Sequence, residues 1–209
     1  IIKIMLLLRD SKQKDQENAQ LKTAYLEAEL ELLKEQLNPH FLFNSLSSLS
    51  GIVREDPAKA QHFINHLSKI FRYALAQSGD QMATIADELK MIKSYEQLLR
   101  MRFEKAFSLE VDVDDSFLRT KIPHLSLQPL LENAAKHNSA TLAKPLRVKI
   151  FMVDDQLVVA NNLQEIAEPE NSTGIGLANL NSRFRILMHH EIEIVKNKDS
   201  FMVKLPLTT

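Results

Sequence analysis

The segment NPHFLFN, Asn38 to Asn44, sets one histidine directly after a proline. A neutral imidazole nitrogen is a good phosphoryl acceptor, so His40 is a candidate nucleophile. Pro39 lacks an N–H and crowds the carbonyl of Glu35, which predicts a local kink in the helix around it. Asn44 lies one turn further on the same face, where its amide can orient the ring or help position a phosphoryl group. A second cluster, ENAAKH, spans Glu132 to His137. On a helix Asn133 shares a face with Lys136 and His137, three and four residues on, so an amide and two potential cations can point at one ligand. An amide oxygen is a neutral hard ligand for Mg²⁺, which keeps most of its coordination for water and phosphate, so Asn133 is the candidate metal ligand. A third piece is Gly174-Ile175-Gly176-Leu177, opening a helical segment with two of the chain's four glycines. Backbone without side chains can bring N–H groups and a helix N-terminus close to a phosphate. Each piece alone has a plainer reading: a hydrogen-bonded structural histidine, a solvated helix face, a tight turn.

Helices and strands must position these residues. From Lys12 to Glu35 the chain is rich in Lys, Glu, Gln, Ala and Leu without Gly or Pro, the composition of a long helix. Leu26, Leu30, Leu33 and Leu37 step by four, three and four, a narrow seam that wants a partner helix. The helix is predicted to run on to Gly51, with Asp56 as N-cap and Pro57 as first residue of the next. Ala60, Phe63, Leu67, Ile70 and Ala74 share one face of that second helix, so residues 24–77 read as an antiparallel helical hairpin, and two hairpins would make a four-helix bundle. After Ser78-Gly79 the pattern becomes α+β. Thr84 and Asp87 form a capping box for a helix with Ile85, Leu89, Ile92, Leu99 and Phe103 on its face. SLEVDV alternates as a half-buried strand, and residues 125–137 return to helix. LRVKIFMV and QLVVAN flank Asp154-Asp155 as one hairpin, and IEIV and FMVKL flank residues 197–199 as another. The polar stretch QEIAEPENST before the glycines has the length of a lid over a ligand.

With 26 basic against 27 acidic residues, the chain carries no net field for gripping nucleic acid or an anionic membrane. It has no cysteine, so no disulfide or thiolate chemistry is available. The opening IIKIMLLL is apolar but well short of the roughly 20 residues that span a bilayer, and is read as an ordinary helix start or the cytoplasmic end of a membrane helix. His62 and His66 are four apart on a helix with no glutamate or cysteine partner, and His189-His190 reads as a polar helix end.

Five segments together resemble one family: LKEQLNPHFLFNSL, HLSKIFRYAL, YEQLLRMRFEK, LSLQPLLENAAKHN and TGIGLANLNSRF, in that order. They are similar to the LytS/YehU class of sensor histidine kinases, from about Leu30 to the C-terminus. The resemblance implies a signalling helix or coiled coil over 1–23, a dimerising phosphotransfer hairpin over 24–79, and over 80–209 an ATP-binding domain of the GHKL (Bergerat-type) α/β sandwich kind. It makes His40 the phosphoacceptor, Asn133 the Mg²⁺ ligand, Lys136 and His137 phosphate-side contacts, and Gly174, Gly176 and Leu177 the end of the ATP lid. The implied partners are a second copy of the chain and a response regulator receiver domain, of the LytTR type, with the full-length protein anchored in a bacterial inner membrane and no direct nucleic acid. Arg102-Phe103 matches the family's Arg-Phe pair without a role assigned by sequence. Two positions depart from the pattern: Ser47 replaces a second asparagine, and Asn161-Asn162-Leu163 stands where Asp-x-Gly reads adenine. The Asn161 carbonyl can accept from the adenine amino group, but without charge and with an NH₂ on the same side chain.

The expected activity is autophosphorylation of His40 by Mg-ATP. One rival is a GHKL ATPase with Glu132 as the base for water, against which NPHFLFN and the hairpin argue. Another is a pseudokinase scaffold, to which Asn161 lends support.

Overall fold

The computed structural model describes residues 14, 39–76, 81–164, 166 and 175–207. The chain divides into two compact units, residues 1–44 and 45–209. The leucine seam at 26–37, the coiled coil and the kink before Pro39 lie outside the described residues.

Helix α1 (Pro39–Glu55) passes through Gly51, where the sequence reading ends it. One glycine costs a helix only about 0.5–1 kcal/mol, too little to stop it. A single residue, Asp56, separates it from α2 (Pro57–Ala76). Its carboxylate accepts from the Lys59 N–H at 2.9 Å, the expected N-cap with Pro57 next. The predicted face of α2 is buried at all five positions, with Ile70 only 1% exposed. In this unit it packs along α3 (Ile85–Phe103). The expected hairpin over 24–77 lies in part outside the described residues; within them a single residue joins α1 to α2.

Strand β1 (Met82–Thr84) pairs antiparallel with β3 (Lys121–Pro123) in a small sheet beside the start of α3. Thr84 caps α3 as predicted, its hydroxyl accepting from the Asp87 N–H at 3.2 Å and donating to the Asp87 carboxylate at 2.6 Å. The buried face of α3 is wider than the pattern suggests: Glu88, Met91, Tyr95 and Leu98 join Ile85, Leu89, Ile92 and Leu99, whereas Phe103 is half-buried.

The main sheet has order β2-β4-β5-β7-β6. β2 (Phe107–Asp112) runs parallel to β4 (Leu146–Val153), and β5 (Gln156–Asn162), β7 (Ser200–Pro206) and β6 (Glu193–Lys196) continue antiparallel. Both predicted hairpins are present. Asp154 and Asp155, at φ 46 and 59, make the doubly left-handed turn that a two-residue hairpin requires. One sheet face carries Leu146, Val148, Ile150, Leu157, Val159, Val203 and Leu205, all buried. Helices α3 and α4 (Gln128–His137) pack against it at β2 and β4, and α5 (Ile175–Met188) packs on α4 and β3. Helix α4 begins three residues later than the sequence reading because Leu125 adopts φ 56, a left-handed backbone that costs a residue with a Cβ about 1–2 kcal/mol. Among the described residues no helix is long and apolar enough to cross a membrane.

Candidate functional site

Helix α4 buries Gln128, Leu130, Leu131 and Ala134, so Asn133, Lys136 and His137 lie half-buried on its other side. This is the shared face the spacing predicts. Glu132 points toward α3: burial pushes the Tyr95 hydroxyl well above its ordinary value, Glu132 pushes it further, and Arg102 opposes. The Arg102 guanidinium also sits 4.9 Å from the centre of the Phe103 ring, a cation–π contact that gives the Arg-Phe pair a local role.

The segment after β5 is tied to the end of α4. The Gln164 N–H donates to Asn138 Oδ1 at 2.7 Å, the Ser139 N–H to the Gln164 carbonyl at 2.9 Å, and the Ile166 N–H to the His137 carbonyl at 3.3 Å. Asn138 Nδ2 in turn donates to the Ala134 carbonyl at 2.9 Å. These bonds bring the end of β5, with Asn161, next to Lys136 and His137. Asn161 is buried on the sheet face that the helices cover, in register with Val148 and Phe201. Its Nδ2 donates to the Asn162 carbonyl at 2.7 Å. That bond uses one of the two amide donors and leaves Oδ1 available as an acceptor.

Gly176 is exposed in the first turn of α5, and a Cβ added there would meet nothing within 4 Å. The protein's own packing does not require glycine at this position. With no acidic residue in that first turn, the helix start suits an anion. Leu177 is half-buried beside it, while Gly174 and the stretch 167–174 lie outside the described residues. An acceptor beside a basic helix end, with an exposed glycine in the first turn of a further helix, fits a purine nucleotide with its phosphates, and the Asn133 amide fits a hard divalent cation.

A cavity of about 580 Å³ lies elsewhere, lined by Ser139, Lys144, Arg147, Asn162, Gln164 and Asp199 among others. Arg147 and Asn162 alternate with Val148 and Asn161, so this cavity belongs to the opposite sheet face. His40 is the second residue of α1, and Asn44 is exposed on the same helix.

Sequence reading missed Glu88 and Arg183. Glu88 is fully buried, accepting from the Tyr73 hydroxyl (2.7 Å), the Leu125 N–H (2.7 Å) and the Leu127 N–H (3.0 Å). The available signal was its position, three residues after Ile85 and four before Ile92 on an apolar face.

The histidine kinase family model matches residues 28–107. Among curated proteins the chain is similar to the sensor histidine kinase BtsS of Escherichia coli K12, 29% identical over 168 residues, 78% of this chain and 30% of that protein. It is 30% identical over 202 residues to the sensor protein LytS of Oceanobacillus iheyensis, covering 88% of this chain and 34% of that one. The sensor histidine kinase/phosphatase LytS of Staphylococcus aureus MRSA252 is 29% identical over 176 residues, 76% of this chain and 30% of its own length. The chain thus spans about a third of the length of these relatives. Among solved structures, the Acinetobacter baumannii histidine kinase AdeS aligns with TM-score 0.41 and 16% identity, over 88% of this chain and 98% of that one. The family match and these relatives agree in the similarity of this chain to histidine kinases. That similarity includes sensors of the LytS type.

Proposed function

We propose that this chain is the kinase portion of a two-component sensor, in which ATP bound by residues 80–209 donates its γ-phosphoryl group to His40. A nitrogen of the neutral imidazole forms the new P–N bond as the P–O bond to ADP breaks, and the ring's other nitrogen releases its proton. The observation that carries this reading is the tie between the end of α4, with Asn133, Lys136 and His137, and the end of β5, with Asn161, made by the Gln164–Asn138 and Ser139–Gln164 hydrogen bonds, with α5, which carries the unobstructed Gly176 in its first turn, packed on α4. Asn161 would read the adenine amino group, Lys136 and His137 the phosphates, and Gly174, Gly176 and Leu177 the lid side. Asn133 would hold Mg²⁺, which would offset the negative charge of the phosphates. Glu132 would polarise the incoming nucleophile as a hydrogen-bond acceptor, and Asn44 would orient the His40 ring.

On the same reading the domain is of the GHKL type, with residues 1–23 a signalling helix and 24–79 the phosphotransfer and dimerisation region. The second acceptor would be a response regulator receiver domain, of the LytTR type, with the chain on the cytoplasmic side of a bacterial inner membrane; the relatives' description as sensors fits a signalling role.

Incubation with γ-labelled ATP, followed by acid and alkali treatment, tests the reading. Label on the wild-type chain should be acid-labile and alkali-stable, and His40→Gln should abolish it while nucleotide binding persists. Wild-type labelling of His40→Gln would refute the acceptor assignment.

A further inference from the structure

We propose that Tyr73, Glu88 and Arg183 form a latch through which α2 positions the two helices that hold the nucleotide, which makes them positioning residues for the kinase reaction. The proposal rests on the reading that α4 and α5 bind ATP. Three different elements meet at one buried carboxylate. Tyr73 comes from the last turn of α2, Glu88 from α3, and the two backbone N–H donors from the loop that launches α4.

The loop is held from its other side by α5. Arg183 Nη1 donates to the His124 carbonyl at 2.5 Å and Nη2 to the Leu125 carbonyl at 3.1 Å. Leu125 is the residue with φ 56, so the peptide group before it is held at its N–H by Glu88 and at its carbonyl by Arg183, and the peptide group after it is held at its carbonyl by Arg183. Strained backbone persists where its surroundings over-determine it, and here the surroundings are these two side chains. Releasing either lets Leu125 relax and shifts the start of α4. Helix α4 has no side-chain N-cap of its own, and the Leu127 N–H at its cap position goes to Glu88.

Burial pushes the Glu88 carboxyl up, while the backbone donors, Tyr73 and Arg183 pull it down. The Tyr73 hydroxyl and the Leu125 and Leu127 N–H groups are all donors, which suits a carboxylate. Burial and the adjacent Glu88 push the Tyr73 hydroxyl up, so it stays a donor at any physiological pH. Its ring also stacks at 4.5 Å on His124, in the same loop. Tyr73 therefore touches both the carboxylate and the loop, and it is the only member of the latch on α2. Through Tyr73 a movement of α2 reaches the loop that launches α4, and by linkage nucleotide binding must bias α2 in return.

Amide hydrogen exchange of the full chain, with and without saturating Mg-AMP-PNP, tests this. In the wild type we expect slower exchange in α4, α5 and the C-terminal half of α2, the last by about fivefold or more, as ordinary inter-site coupling gives. Tyr73→Phe keeps the ring and its stacking. It should retain the protection of α4 and α5, lose that of α2, and autophosphorylate about fivefold or more slowly at saturating ATP. Glu88→Gln, of the same shape, should weaken nucleotide binding as well. A purely structural role would lower the melting temperature of Tyr73→Phe and leave its nucleotide-dependent protection of α2 in place, which would overturn the latch, as would absence of α2 protection in the wild type. Loss of protection in α4 and α5 of the wild type itself would refute the nucleotide reading, and the latch with it.

Discussion

The Asn161 amide nitrogen reaches the Asn162 carbonyl at 2.7 Å, a contact that an aspartate would replace with two facing oxygens. Asn161→Asp should therefore act in opposite directions on folding and binding. Loss of that hydrogen bond in a buried position costs about 1 kcal/mol, read as a lower urea midpoint. A charge-assisted bond to the adenine amino group exceeds a neutral one by about 1 kcal/mol or more, which approaches tenfold tighter Mg-ATP binding. Isothermal titration with Mg-ATP and Mg-GTP should find ATP favoured more strongly than by the parent. Weaker ATP binding by the variant would mean that the amide is the preferred reader in this pocket. Gly176 separates the same two quantities with the opposite signs. Open space around its missing Cβ means that Gly176→Ala should stabilise α5 by about 0.5–1 kcal/mol, whereas a methyl group at the phosphate approach should weaken nucleotide binding. A variant that is both more stable and an equal binder would remove Gly176 from the site.

At the scale of elements, the caps carry predictions that do not depend on ligand. Thr84→Ala removes the acceptor for the Asp87 N–H and should cost about 0.5–2 kcal/mol by denaturant titration; an unchanged midpoint would mean that the β1–β3 pairing alone fixes the start of α3. Such local chemistry was legible in the sequence, as at Thr84, Asp56 with Pro57, and the Asp154-Asp155 turn, because each depends on residues within a turn of one another. The α4 motif was legible for the same reason. Partners distant in sequence were not. The face of α2 was read correctly at all five positions, but periodicity states that a face is buried and not what covers it, so α3 was not foreseen. The late start of α4 was hidden because Leu125 has no local reason to be left-handed; its donors and acceptors come from Glu88, 37 residues earlier, and Arg183, 58 residues later. Glu88 itself was passed over because a glutamate on a helix is ordinarily solvated.

For the whole molecule, the covered face of α2 restricts where a second copy can sit. Ala60, Phe63, Leu67, Ile70 and Ala74 are already buried and α2 packs along α3, so a dimer must use another stripe of the same helix. Ile64 and Leu75, 39% and 44% exposed, lie eleven residues apart on the flank beside that face, with half-buried Phe71 between them. Eleven residues are close to three full turns, so the three side chains align. On α1, Leu46 and Val53 are both 47% exposed and seven residues apart, a heptad spacing. Two stripes of large apolar side chains on consecutive helices are what a bundle between copies would bury, each side chain contributing about 1.5–3 kcal/mol when fully covered. Light scattering of the full chain at tens of micromolar should therefore give a dimer mass. Ile64→Glu with Leu75→Glu should shift it toward the monomer while leaving Mg-ATP affinity unchanged, because neither residue belongs to α4, β5 or α5. Phosphorylation of His40 then becomes informative: if it falls with dilution of the variant but not of the parent, the phosphoryl group crosses between copies. A dimer mass that survives both substitutions would place the interface on the leucine seam at 26–37 instead.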